Sequence, residues 1–374
     1  MKIAHFIHDE KFPDFAYIQF EAAAPGCSDY FIVGEKRELK YVKKIEPKFI
    51  PAKSFSDAAF LKKLAGYDLI VLHSLTMFNK RLVYNLDKNI RILWVGMGYD
   101  YYSLINGELV LPKTHSILNK GSFQGNNTFL ALKSKLKKVL KIEVSWSYLL
   151  ERIDYFSPVL YGEYTKLQSL YPLMNCKFID WNYGSTCNVL NSLKDVKVSG
   201  NSVLLGNSAA PPNNHIEALD VLHSLMGNKR TVYLPLSYGA SSKVRDKIIH
   251  YARNLDLDIE PLTEFMEQTE YFKLISECSH VVMNHCRQQG VGNIVVALYL
   301  GSRVFVNEKN DAYSHFRDLG CVIHTMAELQ NSPELLSVDL DEKSKLKNRE
   351  IIEKEISFSH VQGKTKKLIA QCID

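Results

Sequence analysis

Short apolar runs alternate with stretches of helical spacing along this chain, and the alternation happens twice. KIAHFI (2–7), DYFIVG (29–34), YDLIVLHS (67–74) and NIRILWVG (89–96) cluster their apolar residues instead of placing them at every second position, the pattern of strands covered on both faces. SFSDAAFLKKLAG (54–66), between two of them, has helical spacing. Strand, helix, strand in repetition builds a parallel, doubly wound α/β sheet. A second series runs through SVLLGNS (202–208), a helix from His215 to Met226, RTVYLPLS (230–237), a helix from Ser242 to Leu255, LDIEPL (257–262), and HVVMNHC (280–286) with a further helix and strand. With 374 residues the chain exceeds one ordinary core, so two domains are expected. GSTCNVLNSLKDVKVSGN (184–201) is polar and lacks a period, which places the linker there. The expected organisation is a first domain over 1–184, a second over 185–345 and a charged helical segment over 346–374 that packs back on the first.

The chain is 46% hydrophobic and 23% charged, a globular composition without a tract polar enough to stay unfolded. Its formal charge of +5 falls short of the basic stripe of a nucleic-acid binder, so no nucleic-acid partner is expected. Seven cysteines, at 27, 176, 187, 278, 286, 321 and 372, never adopt a C-x-x-C spacing. Neither a zinc site nor a disulfide framework is expected, and reduced cytosolic thiols are the plain reading. MKIAHFIHDE is interrupted too early for a signal peptide, and no apolar stretch reaches the ~18 residues of a bilayer span.

HCRQQGVGNIVVALYL (285–300) concentrates polar residues where a strand hands over to a helix. Ligands of open α/β sheets sit beyond the carboxyl ends of the strands, where the first helical turn offers unpaired N–H groups. The strand is expected to end near His285 and the helix to begin near Gly292 or Asn293. Gly290 and Gly292 let the backbone turn sharply against an anion, Arg287 adds a bidentate cation, and Gln288, Gln289 and Asn293 suit sugar or phosphate oxygens. SVLLGNSAAPPNNH (202–215) repeats the arrangement: a strand, Gly206-Asn207-Ser208, a proline turn, then a helix capped by Asn213 or Asn214 with His215 in its first turn. YLPLSYG (233–239) is a third strand end, with Ser237 and Tyr238 placed to meet a base or sugar. A glycine-rich helix entry, an asparagine cap and a simple turn account for the same residues without a ligand.

WVGMGYDYY (94–102) holds half of a dinucleotide fingerprint, but Tyr101 occupies the third glycine position, which disfavours an NAD site. Asp100 is left as a carboxylate at a strand end, either a general base or a helix cap. Asp9 and Glu10, after the first strand, are rival bases, and all three are candidates for acceptor binding. No H-E-x-x-H, G-x-S-x-G or P-loop pattern is present. In FLALKSKLKKVLKIEVSWSYLL (129–150), Lys133, Lys135, Lys137, Lys138 and Lys141 alternate with apolar residues. That is an amphipathic helix suited to an anionic membrane surface, or a solvated helix of the domain.

Taken together, GNSAAPPNNHIEAL, PLSYG and above all RQQGVGN resemble the bacterial 4-acetamido-4,6-dideoxygalactose (N-acetylfucosamine) transferases of glycosyltransferase family 56. The likeness is strongest over about 203–310. It rests on Gly206, Asn207, Ser208, Asn213, His215, Pro235, Tyr238, Arg287, Gln288, Gln289, Gly290 and Gly292. The first domain keeps fragments only: Met97-Gly98-Tyr99-Asp100-Tyr101-Tyr102, with methionine in place of a tryptophan, and Gly162-Glu163. The resemblance implies a glycosyltransferase B fold, with two Rossmann-like domains facing a cleft, no active-site metal, no cofactor and a dTDP-sugar donor. A polyprenyl-diphosphate-linked saccharide would be the acceptor, at the cytoplasmic face of the membrane. In that reading Arg287, the Gly290 and Gly292 amides and the 206–208 loop hold the departing diphosphate, and Tyr238 faces the base. A nucleotide-sugar epimerase of the same fold and a non-catalytic sugar-nucleotide or membrane-binding protein are the competing readings.

Overall fold

The computed structural model describes residues 1–105, 107, 109–119, 144–183, 193–226 and 230–373. The chain divides into two compact units. The first comprises Met1–Asn106, Gly121–Ser185 and Phe358–Asp374, the second Gly107–Lys120 and Thr186–Ser357.

The first unit is built on a sheet of β1 (Ile3–Ile7), β2 (Ser28–Val33), β3 (Lys48–Ile50), β4 (Leu69–His73), β5 (Arg91–Val95), β6 (Tyr155–Ser157) and β7 (Lys177–Phe178). The strands lie in the order β3-β2-β1-β4-β5-β6-β7, and every pairing is parallel. Every residue of β1 and β4 is buried, because helices cover both faces of the sheet. Polar residues start those helices: the Asp57 side chain accepts from Phe60 N ahead of Ala58–Leu64, and Thr76 accepts from Asn79 N ahead of Met77–Asn85.

The second sheet contains β8 (Ser202–Leu205), β9 (Val232–Pro235), β10 (Ile259–Leu262), β11 (Cys278–Met283), β12 (Arg303–Val306) and β13 (His324–Thr325). Its order is β10-β9-β8-β11-β12-β13, again parallel throughout. Both sheets therefore reverse their winding once, between β1 and β4 and between β8 and β11. Such a reversal leaves a crevice at the carboxyl ends of the two central strands.

The segment after residue 345 splits between the units. The helix Glu342–Ile356 belongs to the second. The helix Phe358–Ile373 belongs to the first, where Leu368, Ile369 and Cys372 share a core with Ala16, Phe20, Val71, Val95 and Trp181. The Trp181 indole donates to Thr365 Oγ1 at 2.9 Å. The helix Pro112–Asn119 joins the second unit: Leu111 N donates to Asn214 Oδ1 at 2.8 Å, Thr114 N donates to Glu217 at 2.9 Å, and Leu118 enters that core.

Candidate active site

In the second unit the register of β8 and β11 brings two loops side by side. Gly206 N donates to Val282 O at 2.9 Å, so the 206–208 loop leaves the sheet beside the loop that follows Met283. Gly206 has φ +75°, and a Cβ there would lie 2.7 Å from Asn213 Oδ1 and 2.8 Å from His215 Nε2. No other residue fits. His215 is buried and its ring packs on Gly206; burial lowers its pKa to about 4, so it is a neutral spacer beneath the loop.

Asn207 is the junction. Its backbone N–H donates to Asn213 Oδ1 at 2.9 Å, and its Nδ2 donates to the Tyr238 hydroxyl at 3.2 Å. Its Oδ1 accepts from Gln289 Nε2 at 3.1 Å and meets His285 Nε2 at 3.0 Å. His285 Nε2 also lies 2.8 Å from Asn213 Oδ1. Asn213 Oδ1 already accepts a backbone N–H and is an oxygen beyond doubt, so His285 must carry its proton on Nε2. Burial, with help from His215 and Arg287, lowers the His285 pKa to about 3 and keeps the ring neutral.

The asparagine pair does not act as the sequence suggests. Asn213 closes a 3-10 turn, and its Nδ2 donates to Ser208 Oγ at 3.1 Å and to Ala210 O at 2.9 Å. Asn214 is left-handed at φ 52°, and its side chain ties Leu109 O, Leu111 N and Asn284 O together. Neither side chain caps the helix His215–Met226, because both are already engaged with neighbouring loops.

The helix Val291–Leu300 begins one residue earlier than the glycines suggest. Gly290 is its N-cap at φ 67°, with no side-chain cap. A Cβ on Gly290 would sit 3.3 Å from Asn207 Cγ, so the start of this helix lies directly against the 206–208 loop. The Val291 and Gly292 amides, at the start of the helix, have no carbonyl partner within it, whereas Asn293 N already donates to Gly290 O at 2.9 Å. Arg287 is held side-on by Gln289 Oε1, at 3.2 Å from Nε and 3.0 Å from Nη2; Gln288 lies between them, half-buried. Asn293 donates to the Tyr271 hydroxyl at 2.9 Å. Tyr238 is exposed and its carbonyl accepts from Ala209 N at 2.8 Å, with Ser237 half-buried beside it at the end of β9.

Two of the three carboxylates in the first unit are occupied. Asp100 is buried and accepts Leu75 N at 2.8 Å, the Trp94 indole at 2.8 Å and Met97 N at 2.9 Å; burial nonetheless raises its pKa. This carboxylate ties the loop after β5 to the end of β4. Asp9 accepts Lys40 N, Tyr41 N and Val42 N, at 2.8, 2.8 and 3.1 Å. Partial burial raises its pKa, but those amides outweigh it and hold the group below the usual range. Glu10 is different: it is half-buried, and its pKa is raised by burial and by the charge of Asp100. The fragments Asp100-Tyr101-Tyr102 and Gly162-Glu163 are in contact, since buried Glu163 accepts Tyr101 Oη at 2.7 Å, Tyr102 Oη and Leu160 N at 2.9 Å.

Lys133, Lys135, Lys137, Lys138 and Lys141 lie outside the described residues. Among the described residues no three His, Cys, Asp or Glu side chains are grouped to hold a metal ion.

Residues 185–333 match the family described as 4-alpha-L-fucosyltransferase, glycosyl transferase group 56. The whole chain is also similar in fold to solved glycosyltransferases. A glycosyltransferase from Rickettsia africae ESF-5 is 11% identical, with 100% of this chain and 98% of that one covered at a TM-score of 0.62. The lipopolysaccharide outer core galactosyltransferase WaaB is 12% identical, with 99% of each chain covered at 0.64. A trehalose-6-phosphate enzyme structure from E. coli with UDP-2-fluoro glucose is 10% identical, with 100% and 99% covered at 0.59.

The chain is a glycosyltransferase of the GT-B fold. The segment that matches the group 56 family contains the 206–208 loop, Tyr238 and the bridge from Arg287 to Asn293. Sequence reasoning did not single out His285 or Asn284 as functional residues in this glycosyltransferase. Both sit within HVVMNHC, where only polarity at the end of an apolar strand marked them.

Proposed function

We propose that the enzyme transfers a deoxyamino sugar of the 4-acetamido-4,6-dideoxygalactose type from a dTDP-sugar to a polyprenyl-diphosphate-linked saccharide, in the synthesis of a bacterial surface polysaccharide. One observation carries this reading: an uncapped helix N-terminus at Gly290, with Arg287 beside it, rests against the 206–208 loop at the winding reversal of the second sheet. Positive polarity at that place suits a diphosphate. A hydroxyl oxygen of the acceptor attacks the anomeric carbon, the bond to the diphosphate breaks, and the electron pair leaves with the phosphate oxygen. Arg287 and the first-turn amides take up the growing negative charge, a role that in other enzymes falls to a metal. The hydroxyl proton goes to Glu10 and not to Asp100, whose carboxylate is already engaged with Leu75 N, the Trp94 indole and Met97 N. Tyr238 faces the base.

Thermal-shift measurements with dTDP, UDP, GDP and ADP, each with and without magnesium, test the donor site, because a ligand of the native state stabilises by mass action. A dTDP-selective shift indifferent to magnesium is expected; no nucleotide response, or one that requires magnesium, overturns the donor reading. Arg287→Ala is expected to lower turnover at saturating donor on the order of a hundredfold, the scale of a lost transition-state donor. Turnover near wild type would remove the leaving-group role.

Acceptor access places the enzyme at the inner membrane face. In this reading the contact is peripheral, and the lysine-rich sequence 133–141 supplies the attraction; no helix among the described residues is long and apolar enough to cross a membrane. Sedimentation with anionic vesicles should weaken between 50 and 500 mM salt, as screening requires (about a threefold drop in Debye length). Absence of binding at every salt concentration would remove the membrane claim.

A further inference from the structure

Behind the carboxyl ends of β1 and β4, three side chains form a hydrogen-bonded series that the reaction outlined above does not use. His5 Nδ1 lies 3.0 Å from His73 Nε2, and His73 Nδ1 is bonded to the Tyr183 hydroxyl. Both histidines are buried; His5 stacks on Tyr30 with centroids 4.5 Å apart and meets Phe20 edge-on. Burial keeps both rings neutral: it lowers His73 to about 3, with His8 adding to the effect, and it holds His5 well below its ordinary value, with His73 adding.

A neutral imidazole has one N–H, so each link in the series holds one proton and the inner end sets the direction of all of them. His5 Nε2 is buried with no hydrogen-bond partner among the described residues. A proton there would leave a buried donor orphaned, which folded proteins tolerate far less often than an under-used acceptor. His5 therefore carries its proton on Nδ1 and donates to His73 Nε2. His73 is then protonated on Nδ1 and donates to Tyr183 Oη. With a donor already arriving at its oxygen, the Tyr183 O–H points its own hydrogen outward.

We infer that Tyr183 is a hydrogen-bond donor to an oxygen of the acceptor saccharide, and that His5 and His73 are positioning residues that fix the direction of its O–H. The inference rests on the sugar-transfer reading for the identity of the ligand. Glu10, Tyr99 and Asp100 all act electrostatically on Tyr183, so this hydroxyl shares the carboxyl end of the first sheet with the proposed proton acceptor. Tyr183 holds the saccharide while Glu10 receives the proton of the attacking hydroxyl.

Two-bond 15N–1H correlation spectra of the full chain at pH 7, with His5→Gln and His73→Gln used for assignment, read the tautomers directly. Protons on Nδ1 of both rings are expected; a proton on Nε2 of either overturns the series, whatever the enzyme transfers. In steady-state assays Tyr183→Phe is expected to raise KM for the lipid-linked saccharide fivefold or more and to change KM for the dTDP-sugar less than twofold. Equal changes in both, or none in either, overturn the acceptor role. His73→Leu should show the same split, since it removes the donor that aims Tyr183. If the tautomers are as expected but no dTDP-sugar is transferred, the ligand assignment falls and the polarity of the series stands.

Discussion

Asn207 carries constraints from four residues: Asn213 fixes its backbone, and His285, Gln289 and Tyr238 fix its side chain. Removing the shared N–H in His285→Leu takes one of two donors from each of two amide oxygens, a loss of about 0.5–1.5 kcal/mol per hydrogen bond. The expected outcome is a lower urea midpoint and a donor KM raised about tenfold, with partial recovery in His285→Gln, whose amide can donate. An unchanged KM would mean that this hub does not reach the donor. Gly290→Ala meets two obstacles, a left-handed backbone at φ 67° and a Cβ 3.3 Å from Asn207 Cγ; the first alone costs about 1–2 kcal/mol, so weaker dTDP binding and a lower melting temperature are expected together. The RQQG run announced itself in sequence because glycine and arginine have few reasons to share a strand-to-helix bridge. Asn213 and Asn214 were misleading, because an asparagine ahead of a helix reads as a cap until the neighbouring loops are known. His285 gave no signal, since a buried polar residue at a strand end looks like any other.

The helix Tyr161–Leu170 begins at a buried carboxylate that also receives two tyrosine hydroxyls from the loop after β5. Glu163→Leu removes the acceptor of Tyr101 Oη and Leu160 N, so a loss of at least ~2 kcal/mol is expected at about 1–3 kcal/mol per orphaned group. Equilibrium unfolding in urea measures it, and a loss under about 1 kcal/mol would show that these groups find other partners. Long apolar strands were plain in the sequence: KIAHFI holds β1, YDLIVLHS holds β4 and SVLLGNS holds β8. β3 and β6 span three residues each and β13 two, too few for any period to register. Their pairing comes from neighbours already in place. Asp100 illustrates the same limit: a carboxylate at a strand end invites a catalytic reading, and only the positions of Leu75, Trp94 and Met97 reveal a loop tie.

Histidines buried neutral throughout the molecule couple its stability to acid. His73 and His285 are lowered to about 3 and His215 and His280 to about 4, in each case by burial first. A histidine depressed in the folded state and ordinary in the unfolded chain contributes stability that is complete above pH ~6.5 and declines as pH falls toward the folded value. Each such group costs roughly 1.4 kcal/mol per pH unit inside that window, so urea midpoints should be level from pH 7 to 8 and drop steeply from 6.5 to 5. A flat profile across both intervals would mean that these rings find protons without unfolding. The fold persists at 11% identity to the Rickettsia africae enzyme. Burial of whole strands constrains polarity and size more than identity, which is why the architecture was readable from alternation alone. The helix Phe358–Ile373 completes the hydrophobic interior that Ala16, Phe20 and Val95 begin. During synthesis the ribosome delivers that helix only after residues 186–357, so the rest of the first unit waits, with one apolar surface uncovered, while that long stretch is being made. Chaperone occupancy of nascent chains would be highest in that interval.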